Sequence, residues 1–580
     1  MTRVLSLARA WGPAMPLILV LFVCLMAPLV VLLARSFITT DGIGLHVWSR
    51  VLGQAINQRA IVTSLELGLV CATISTLVGT PLAWLISRML GGRRASWLGL
   101  LNVSAHFGGI GLAFAYIASL GIFGMVTQLI QGTGVPFAPP ARDSFTALVI
   151  TYEHANIPLF VLLLVPAMGM LRDEWFEAAQ TSSASRLQFW RRIGLPVLLP
   201  FIAAGFVLSF MWTIGIFGIA YALAGQSAAI PIQLITLQIG QALSDDAIRG
   251  PERAAVLAVL LMALALTALA IYRALLKRGL RWFGAETGTS ATTPGQRATT
   301  AKSRWSTLSA ALLFVPFVLY VSVPILAVVV YSFAGRWAGT VLPAEFTLRY
   351  WAAAFSDPGI VRAFVTSLSL GLLTTLLVVL LAVPAVYWAR VKNRRITPIL
   401  DLSAAIPFAL PFVVIGFALL QFSGVFVPSL QGTYPLLLLA YVAISFPFVY
   451  WAVDGSMASA NVRALAEAAE TCGASTLQTI VRIVLPSIRP GLATAAMLAF
   501  AIAIGEFALV KVLAQLIPTL SLWSAGQMQA SGGGYSSLAV VTTVVFVILF
   551  FLSAAVAYVN RGQAGGAMPG SAESARVAQA

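Results

Sequence analysis

Few ionisable side chains fall inside the long apolar runs of this sequence, and these are the first candidates for chemistry. They are Glu66, Glu153, His154, Glu506 and Lys511. A charged group in hydrocarbon is costly unless it faces a cavity, a partner or water. The pattern therefore predicts that Glu66, Glu153, His154 and Glu506 are candidate residues of a pathway through an apolar environment.

Glu506 is the candidate with the most direct predicted role, because a carboxylate at this depth suits a cationic or strongly hydrogen-bonding solute. The alternative is a buried carboxylate that a neighbouring helix satisfies. Glu506 and Lys511 are five positions apart, so they are expected on different helix faces and unpaired. Glu153 and His154 precede Pro158, where they form either a gate or a polar helix end, the interpretation we favour.

No pattern typical of an active site accompanies these residues. The sequence contains neither GxxxxGKS nor GxxxxGKT, the loops that hold nucleotide phosphates. Its three cysteines, Cys24, Cys71 and Cys472, form no CxxC pair, and no His/Cys cluster has metal-ligand spacing. We therefore predict a protein that is not an enzyme and has no cofactor, no metal site and no catalytic residue.

The composition places the chain in a membrane. It is 59% hydrophobic and 9% charged, with a mean hydropathy of +0.94, whereas soluble domains carry about 25% charged residues. Its formal net charge is +16. We interpret the excess of Lys and Arg as loop charges that orient membrane helices rather than as a nucleic-acid surface.

Twelve apolar stretches have the length of membrane spans. They lie near 15–35, 60–87, 98–123, 145–170, 197–224 and 252–275, and near 308–332, 363–389, 398–422, 433–453, 490–513 and 537–559. The first is longer than the apolar part of a usual signal peptide, so we expect a retained span. The predicted fold class is an all-α polytopic membrane protein with about twelve transmembrane helices.

A twenty-residue polar block occurs twice, 290 positions apart. Residues 177–196 read EAAQTSSASRLQFWRRIGLP and residues 467–486 read EAAETCGASTLQTIVRIVLP, with twelve identical positions. Tyr152 and Tyr441 also match between the halves. Six spans per repeat return the chain to its starting side, so the two repeats are predicted to be parallel.

Each block is predicted to form a helix–turn–helix elbow on the membrane face. Gly473 suits a turn with positive φ between two short helices. Ser475 and its neighbours supply possible N-caps for the second short helix. Leu195-Pro196 and Leu485-Pro486 end the blocks, with proline suited to the first turn of the next helix.

The predicted organisation has two membrane domains. The first covers 1–278 with its block at 177–196, and the second covers 305–560 with its block at 467–486. Residues 279–304 are a predicted cytoplasmic linker, and 561–580 a disordered tail. Most of the 35 Lys and Arg residues fall in segments that share one side, which places both termini and both blocks in the cytoplasm.

The blocks resemble the EAA loops of binding-protein-dependent ABC importer permeases, and the whole chain resembles two fused permease domains of the iron(III), thiamine and phosphonate or polyamine type. The resemblance implies a bacterial inner-membrane protein. It also implies two copies of a cytoplasmic ABC ATPase that hydrolyse ATP, and a periplasmic binding protein that delivers a small polar solute. It assigns ATPase docking to Glu177, Ala178, Ala179, Ser183, Glu467, Ala468, Ala469 and Gly473.

The first block departs from the family pattern because Ser183 stands where the family has glycine. A positive-φ turn is less favourable at serine, and we expect Ser183 to cap the second short helix instead. The solute stays open among iron, thiamine, a polyamine and a phosphonate. An ion-coupled secondary transporter is the alternative function, and a membrane enzyme or scaffold is a further one.

Overall fold

A computed structural model describes residues 11–39, 42–89, 91–169, 171, 173–224, 232–245, 249–284, 305–337, 339–529 and 534–559. Part of the predicted linker and the predicted tail after 560 lie outside this part of the chain.

The described residues form α-helices and two small hairpins. In the first half the helices are α1 Met15–Leu21, α2 Ala27–Arg35, α3 His46–Gly53, α4 Ala55–Ser87, α5 Gly91–His106, α6 Gly109–Leu120, α7 Met125–Gly132, α8 Phe145–Met168, α9 Asp173–Thr181, α10 Arg186–Phe189, α11 Leu195–Gly215, α12 Gly218–Ala224, α13 Ile235–Asp245 and α14 Gly250–Gly284. Strands β1 Ile38–Thr39 and β2 Gly42–Ile43 pair antiparallel.

The second half repeats this order. Its helices are α15 Trp305–Ser332, α16 Arg349–Ser356, α17 Pro358–Tyr387, α18 Thr397–Ala409, α19 Phe412–Phe426, α20 Tyr434–Ser459, α21 Val462–Thr471, α22 Thr476–Thr479, α23 Leu485–Ser487, α24 Arg489–Gly505, α25 Ala508–Leu513, α26 Leu520–Gln529 and α27 Tyr535–Val559. Strands β3 Ala334–Arg336 and β4 Glu345–Phe346 form the matching antiparallel hairpin.

The predicted fold class is confirmed. Ten helices of the described chain are long and apolar enough to cross a membrane, and two bent helix pairs raise the number to twelve if each pair is one span. Residues 394–409 and 412–426 meet at 108°, and residues 476–487 and 489–505 meet at 83°. The first bend falls at Pro411, which lacks a backbone N–H and so ends the preceding helix.

The first helices of each half pack against the other half. Leu17 of α1 belongs to the same buried cluster as Tyr450 of α20. On the opposite side, Tyr331 of α15 lies edge-on to Phe114 of α6, with ring centroids 5.6 Å apart. The two repeats therefore interlock instead of forming two independent bundles.

Helix α14 is longer than the sequence pattern predicts. It continues to Gly284 and therefore occupies 279–284, the start of the predicted linker. The reason is that Leu280, Trp282 and Phe283 extend the apolar character of the helix past its last predicted turn.

Candidate translocation site and docking elbows

A cavity of about 190 Å³ lies where interrupted helices from both halves meet. Its wall includes Gly109 at the start of α6 and the break that follows Gly215 between α11 and α12. In the second half it includes Pro411 between α18 and α19 and the break that follows Gly505 between α24 and α25. The stretches expected as single spans near 98–123, 197–224, 398–422 and 490–513 are therefore each interrupted at this level.

Two glycines allow the breaks to approach one another. A Cβ on Gly109, whose φ is +66°, would lie 3.3 Å from the carbonyl oxygen of Gly505. A Cβ on Gly215 would lie 3.1 Å from Cγ of Pro411. These distances are tighter than ordinary van der Waals contact, so small residues here bring the two halves together.

Hydroxyl groups satisfy the carbonyl that the break exposes in the first half. The hydroxyl of Tyr152 in α8 donates to the carbonyl oxygen of Ile216 at 3.3 Å. The hydroxyl of Thr236 in α13 donates to the same oxygen at 3.3 Å. A buried carbonyl without a helical partner is costly, so these bonds stabilise the interruption.

The second half repeats this arrangement. The hydroxyl of Tyr441 in α20 donates to the carbonyl oxygen of Glu506 at 3.2 Å, and the hydroxyl of Ser521 in α26 donates to it at 2.7 Å. Tyr152 and Tyr441 were visible in the sequence only as repeated positions, and their role was missed. The signal was their nearly equal distance from the later break in each half, 64 positions to Ile216 and 65 positions to Glu506.

A further matched pair of hydrogen bonds anchors the second helix after each break, which is α13 in the first half and α26 in the second. The hydroxyl oxygen of Ser64 in α4 accepts a bond from the amide of Ile235 at 3.0 Å. The hydroxyl oxygen of Ser367 in α17 accepts one from the amide of Leu520 at 2.8 Å. The two repeats therefore share hydrogen bonds as well as their order of helices.

Glu506 lines the cavity and is 8% exposed. Its Oε1 accepts a hydrogen bond from the amide of Leu509 at 3.0 Å, so the carboxylate also caps the amino end of α25. The amides of Ala508 and Phe507 also donate to this carboxylate, so backbone donors at the start of α25 occupy most of its roughly four acceptor positions. The first half has Ile216 at the matching place, and the carboxylate is therefore specific to the second half.

Lys511 does not neutralise Glu506 in the described structure. Its Nζ lies 5.3 Å from the ring centroid of Tyr221, which belongs to α12 of the other half. No ion pair joins Lys511 to Glu506 among the described residues, as their spacing predicted.

Aromatic rings from both halves close the wall of the cavity. Phe217 and Phe507 stack with their ring centroids 5.7 Å apart and an interplanar angle of 12°. Trp212 and Phe408 meet edge-on at 6.0 Å. Each pair joins one residue of the first half to one of the second.

Glu153 and His154 lie inside α8 and are not among the residues that line the cavity. They are 3% and 2% exposed. The hydroxyl of Ser75 donates to Oε2 of Glu153 at 2.7 Å, and His154 lies between the rings of Phe107 and Tyr320. The favoured interpretation as a polar helix end is wrong, because α8 continues through Pro158 to Met168.

Glu66 is exposed on the outward face of α4. It therefore does not face the interior, and the structure gives no support to its selection as a pathway residue. Its neighbour Leu67 is buried, which shows that α4 turns the other face to the bundle.

The two repeated blocks form elbows with the same pattern of burial. We name residues 173–194 the first elbow and residues 462–484 the second elbow. In both copies the glutamate, the first alanine and the turn residue are exposed, and the second alanine is buried. In that order, these residues are Glu177, Ala178, Ser183 and Ala179 in the first elbow, and Glu467, Ala468, Gly473 and Ala469 in the second. Each elbow ends in a π-helical turn, Trp190–Gly194 or Ile480–Val484.

The turn residue has positive φ in both elbows. Gly473 has a φ of +79°, as predicted, and Ser183 has a φ of +57°. In both copies the amide of the following alanine donates to the carbonyl of the second alanine of the motif, at 2.9 and 3.0 Å. The turn at Ser183 therefore has the same geometry as the turn at Gly473. The weakening that we expected at serine takes the form of backbone strain, since few L-residues adopt positive φ.

Both second short helices begin with a capping box. The amide of Gln478 donates to Oγ of Ser475 at 3.3 Å, and the amide of Ser475 donates to Oε1 of Gln478 at 2.9 Å. Ser185 and Gln188 make the same two bonds at 3.2 and 2.8 Å. The expected cap at Ser183 is wrong, because the repeat places Ser185 at the capping position.

Each elbow also presents an exposed leucine that the sequence analysis did not select. Leu187 and Leu477 occupy matching positions within the capping boxes, one residue before the glutamine, and are 77% and 71% exposed. Two equivalent leucines exposed beside the glutamate and alanine of the motif add an apolar contact to each elbow surface.

One ion pair links the second elbow to the segment that follows α17, and a second lies within the elbow. Lys392, after α17, pairs with Glu470 of α21. Arg463 pairs with Glu467 at 2.9 Å within α21. The first elbow has Gln180 where the second has Glu470, so it does not carry the acidic partner of this link.

Comparison with known proteins adds one family match and three relatives. The family described as binding-protein-dependent transport system inner membrane component matches residues 382–564. The probable ABC transporter permease protein y4fN of Sinorhizobium fredii (strain NBRC 101917 / NGR234) is 27% identical over 398 residues, which cover 66% of this chain and 66% of that protein.

Two smaller relatives match part of the chain. The molybdenum transport system permease protein ModB of Azotobacter vinelandii is 34% identical over 163 residues, 26% of this chain and 72% of that protein. The spermidine/putrescine transport system permease protein PotB of Escherichia coli (strain K12) is 26% identical over 229 residues, 38% of this chain and 82% of that protein.

Proposed function

Because this chain belongs to the family of binding-protein-dependent transport system inner membrane components, we propose that it forms the solute pathway of an ATP-driven importer. A periplasmic binding protein delivers a small polar solute to it. ATP hydrolysis takes place in a separate subunit. The names of two relatives include molybdenum and spermidine/putrescine, so family membership leaves the solute open.

The observation that carries this proposal is the pair of equivalent elbows. Both present an exposed glutamate, an exposed alanine and an exposed leucine with the same backbone turn between two short helices. Two equal surfaces suit two copies of one partner. We assign each elbow to one copy of a cytoplasmic ABC ATPase, with the motif residues as its contact.

The first elbow connects directly to the cavity wall. The π-helical turn at Trp190–Gly194 leads into α11, which runs from Leu195 to Gly215. A helix of 21 residues is about 32 Å long, the depth of a bilayer core. Movement of this elbow by an ATPase therefore displaces the end of α11 that borders the cavity. In the second half an 83° bend lies between the elbow and α24, so movement reaches the cavity through that bend.

The same proposal places the chain in the bacterial inner membrane with both termini in the cytoplasm. We assign the two domains to 1–278 and 305–560; α14 extends past the first of these boundaries. The basic residues near the elbows support this orientation, because cytoplasmic loops carry an excess of Lys and Arg.

The test is co-purification of the ATPase. The tagged chain is isolated from its native membranes, and an ABC-type ATPase is identified by its nucleotide-binding sequence. We expect wild-type protein to retain this ATPase and the double variant Glu177→Arg/Glu467→Arg to lose it. Glu345→Arg, a charge reversal on the hairpin strand β4, is the matched control and retains the ATPase.

Leu477→Asp tests the apolar part of the same surface and is expected to weaken ATPase binding. Leu516→Asp is its control, since Leu516 is also exposed but lies outside the elbows. Full ATPase retention by the double glutamate variant argues against the assigned surface. Solute uptake that needs an ion gradient and no ATP argues for the ion-coupled alternative.

A further inference from the structure

We infer that the solute accepted by this cavity is an organic cation. The inference rests on the proposed function, since it takes the cavity to be part of the solute pathway. It narrows the solute from any small polar molecule to a positively charged one with apolar surface, such as an amine or a quaternary ammonium compound.

The charge of the wall is the first argument. Of the described residues that line the cavity, Glu506 alone has an ionisable side chain. Lys511 is the nearest basic residue along the chain, and it lies over the ring of Tyr221. A carboxylate that forms no ion pair among the described residues, in a cavity of low polarity, attracts a cation and repels an anion.

The helix ends at the cavity do not reverse this sign. Helices α11, α18 and α24 bring their carboxyl ends to it, and α6, α12, α19 and α25 bring their amino ends. The partial charges at these ends have opposite signs and largely offset one another. The amino end of α25 is already capped by Glu506 itself. Glu506 is then the one described lining residue whose side chain can give the site a net charge, and the sign of that charge is negative.

The aromatic wall is the second argument. Trp212, Phe217, Phe408 and Phe507 all border the cavity. The faces of aromatic rings attract organic cations, and their apolar area also covers the carbon skeleton of such a solute. An oxyanion would need several hydrogen-bond donors or basic side chains in place of these rings. A bare Ca²⁺ or Mg²⁺ ion would need six or more oxygen ligands, whereas an ammonium group needs one carboxylate and a ring face.

The experiment measures binding to the full chain in lipid nanodiscs by equilibrium dialysis. The cationic probes are putrescine, choline and thiamine, and the anionic probes are molybdate and sulfate, all at one ionic strength. We expect saturable binding of at least one cationic probe and neither anion. Glu506→Gln should weaken that binding by about tenfold or more, because it removes the charge.

Glu506→Gln is chosen because its side-chain oxygen can still accept the bond from Leu509, so the cap of α25 is kept. Glu506→Ile, which copies Ile216 of the first half, is a second variant that should also lose binding. Glu66→Gln is the matched control, since it removes one carboxylate from the outward face, and it should bind as wild type does.

Three results would overturn the inference: preference for molybdate or sulfate, no binding of any cationic probe at millimolar concentration, or equal cation binding by wild type and Glu506→Gln. None of these would affect the ATPase co-purification described above. Loss of co-purification with intact cation binding would instead overturn the docking assignment and leave the cavity as a cation site.

Discussion

At the scale of single residues, the turn in each elbow shows how the same geometry is reached with different side chains. Gly473 adopts positive φ without steric cost, whereas Ser183 adopts it at a cost of about 1–2 kcal/mol. The surrounding hydrogen bonds, which are the same in both copies, hold serine in this conformation. The first elbow therefore contains local strain that the second lacks.

Ser183→Gly should preserve transport and raise the stability of the first elbow, because glycine removes this strain. Gly473→Val should reduce ATPase binding and uptake, because a β-branched residue fits poorly at positive φ. Gly473→Ser should have a smaller effect than valine, since serine already occupies this conformation at 183. Uptake assays on the three variants check the order, and equal loss at Ser183→Gly and Gly473→Val would contradict it.

The carbonyl of Glu506 provides a second prediction at this scale. Tyr441→Phe and Ser521→Ala each remove one of its two hydroxyl donors and should cost about 0.5–1.5 kcal/mol. The double variant should cost more than the sum, because it leaves a buried carbonyl without either donor. Thermal unfolding midpoints in detergent measure this, with exposed Tyr558→Phe as control. Additive losses would show that the two bonds act independently.

At the scale of helices and elbows, the link between Lys392 and Glu470 is the clearest difference between the halves. It ties α21 to the end of α17, while the first elbow has Gln180 in the corresponding place. Such a half-exposed pair contributes little to stability, about 0–1 kcal/mol. Its expected role is to make the second elbow move together with the membrane helices.

Glu470→Gln, which copies the first elbow, should lower the amount of solute transported per ATP hydrolysed in reconstituted vesicles. Lys392→Ala should have the same effect, and the double variant should be no worse than either single one, because the link is already broken. Gln180→Glu is the matched control in the other half and should leave the ratio unchanged. A normal ratio in both single variants would show that the pair does not transmit movement.

At the scale of the whole molecule, the interlocked first helices and the shared cavity make the two repeats one structural unit. The sidedness of this unit is a prediction that the free cysteines can test. Cys24 and Cys71 are buried, and Cys472 is exposed in the second elbow. Cys472 is therefore a native reporter of the side that the elbows face.

An impermeant thiol reagent should leave Cys472 unlabelled in intact cells and label it in inverted membrane vesicles. In a Cys472→Ala background, Ser290→Cys and Gly570→Cys should behave in the same way, and Arg142→Cys should label from outside. The reason is the excess of Lys and Arg on the side of the elbows together with six spans per repeat. Labelling of Ser290→Cys in intact cells would overturn the common cytoplasmic side.

The sequence by itself determined the membrane class, the repeat and the local design of the elbows. Gly473, Ser475 and the Leu-Pro ends were predictable because turns, caps and helix starts depend on a few neighbouring residues. Tertiary structure alone decided that four helix breaks meet, that Glu66 faces outward and that Glu153 and His154 are buried away from the cavity wall. In membrane helices the lipid-facing and buried sides are both apolar, so their periodicity does not reveal which side faces a cavity. The contacts between helices supply that information.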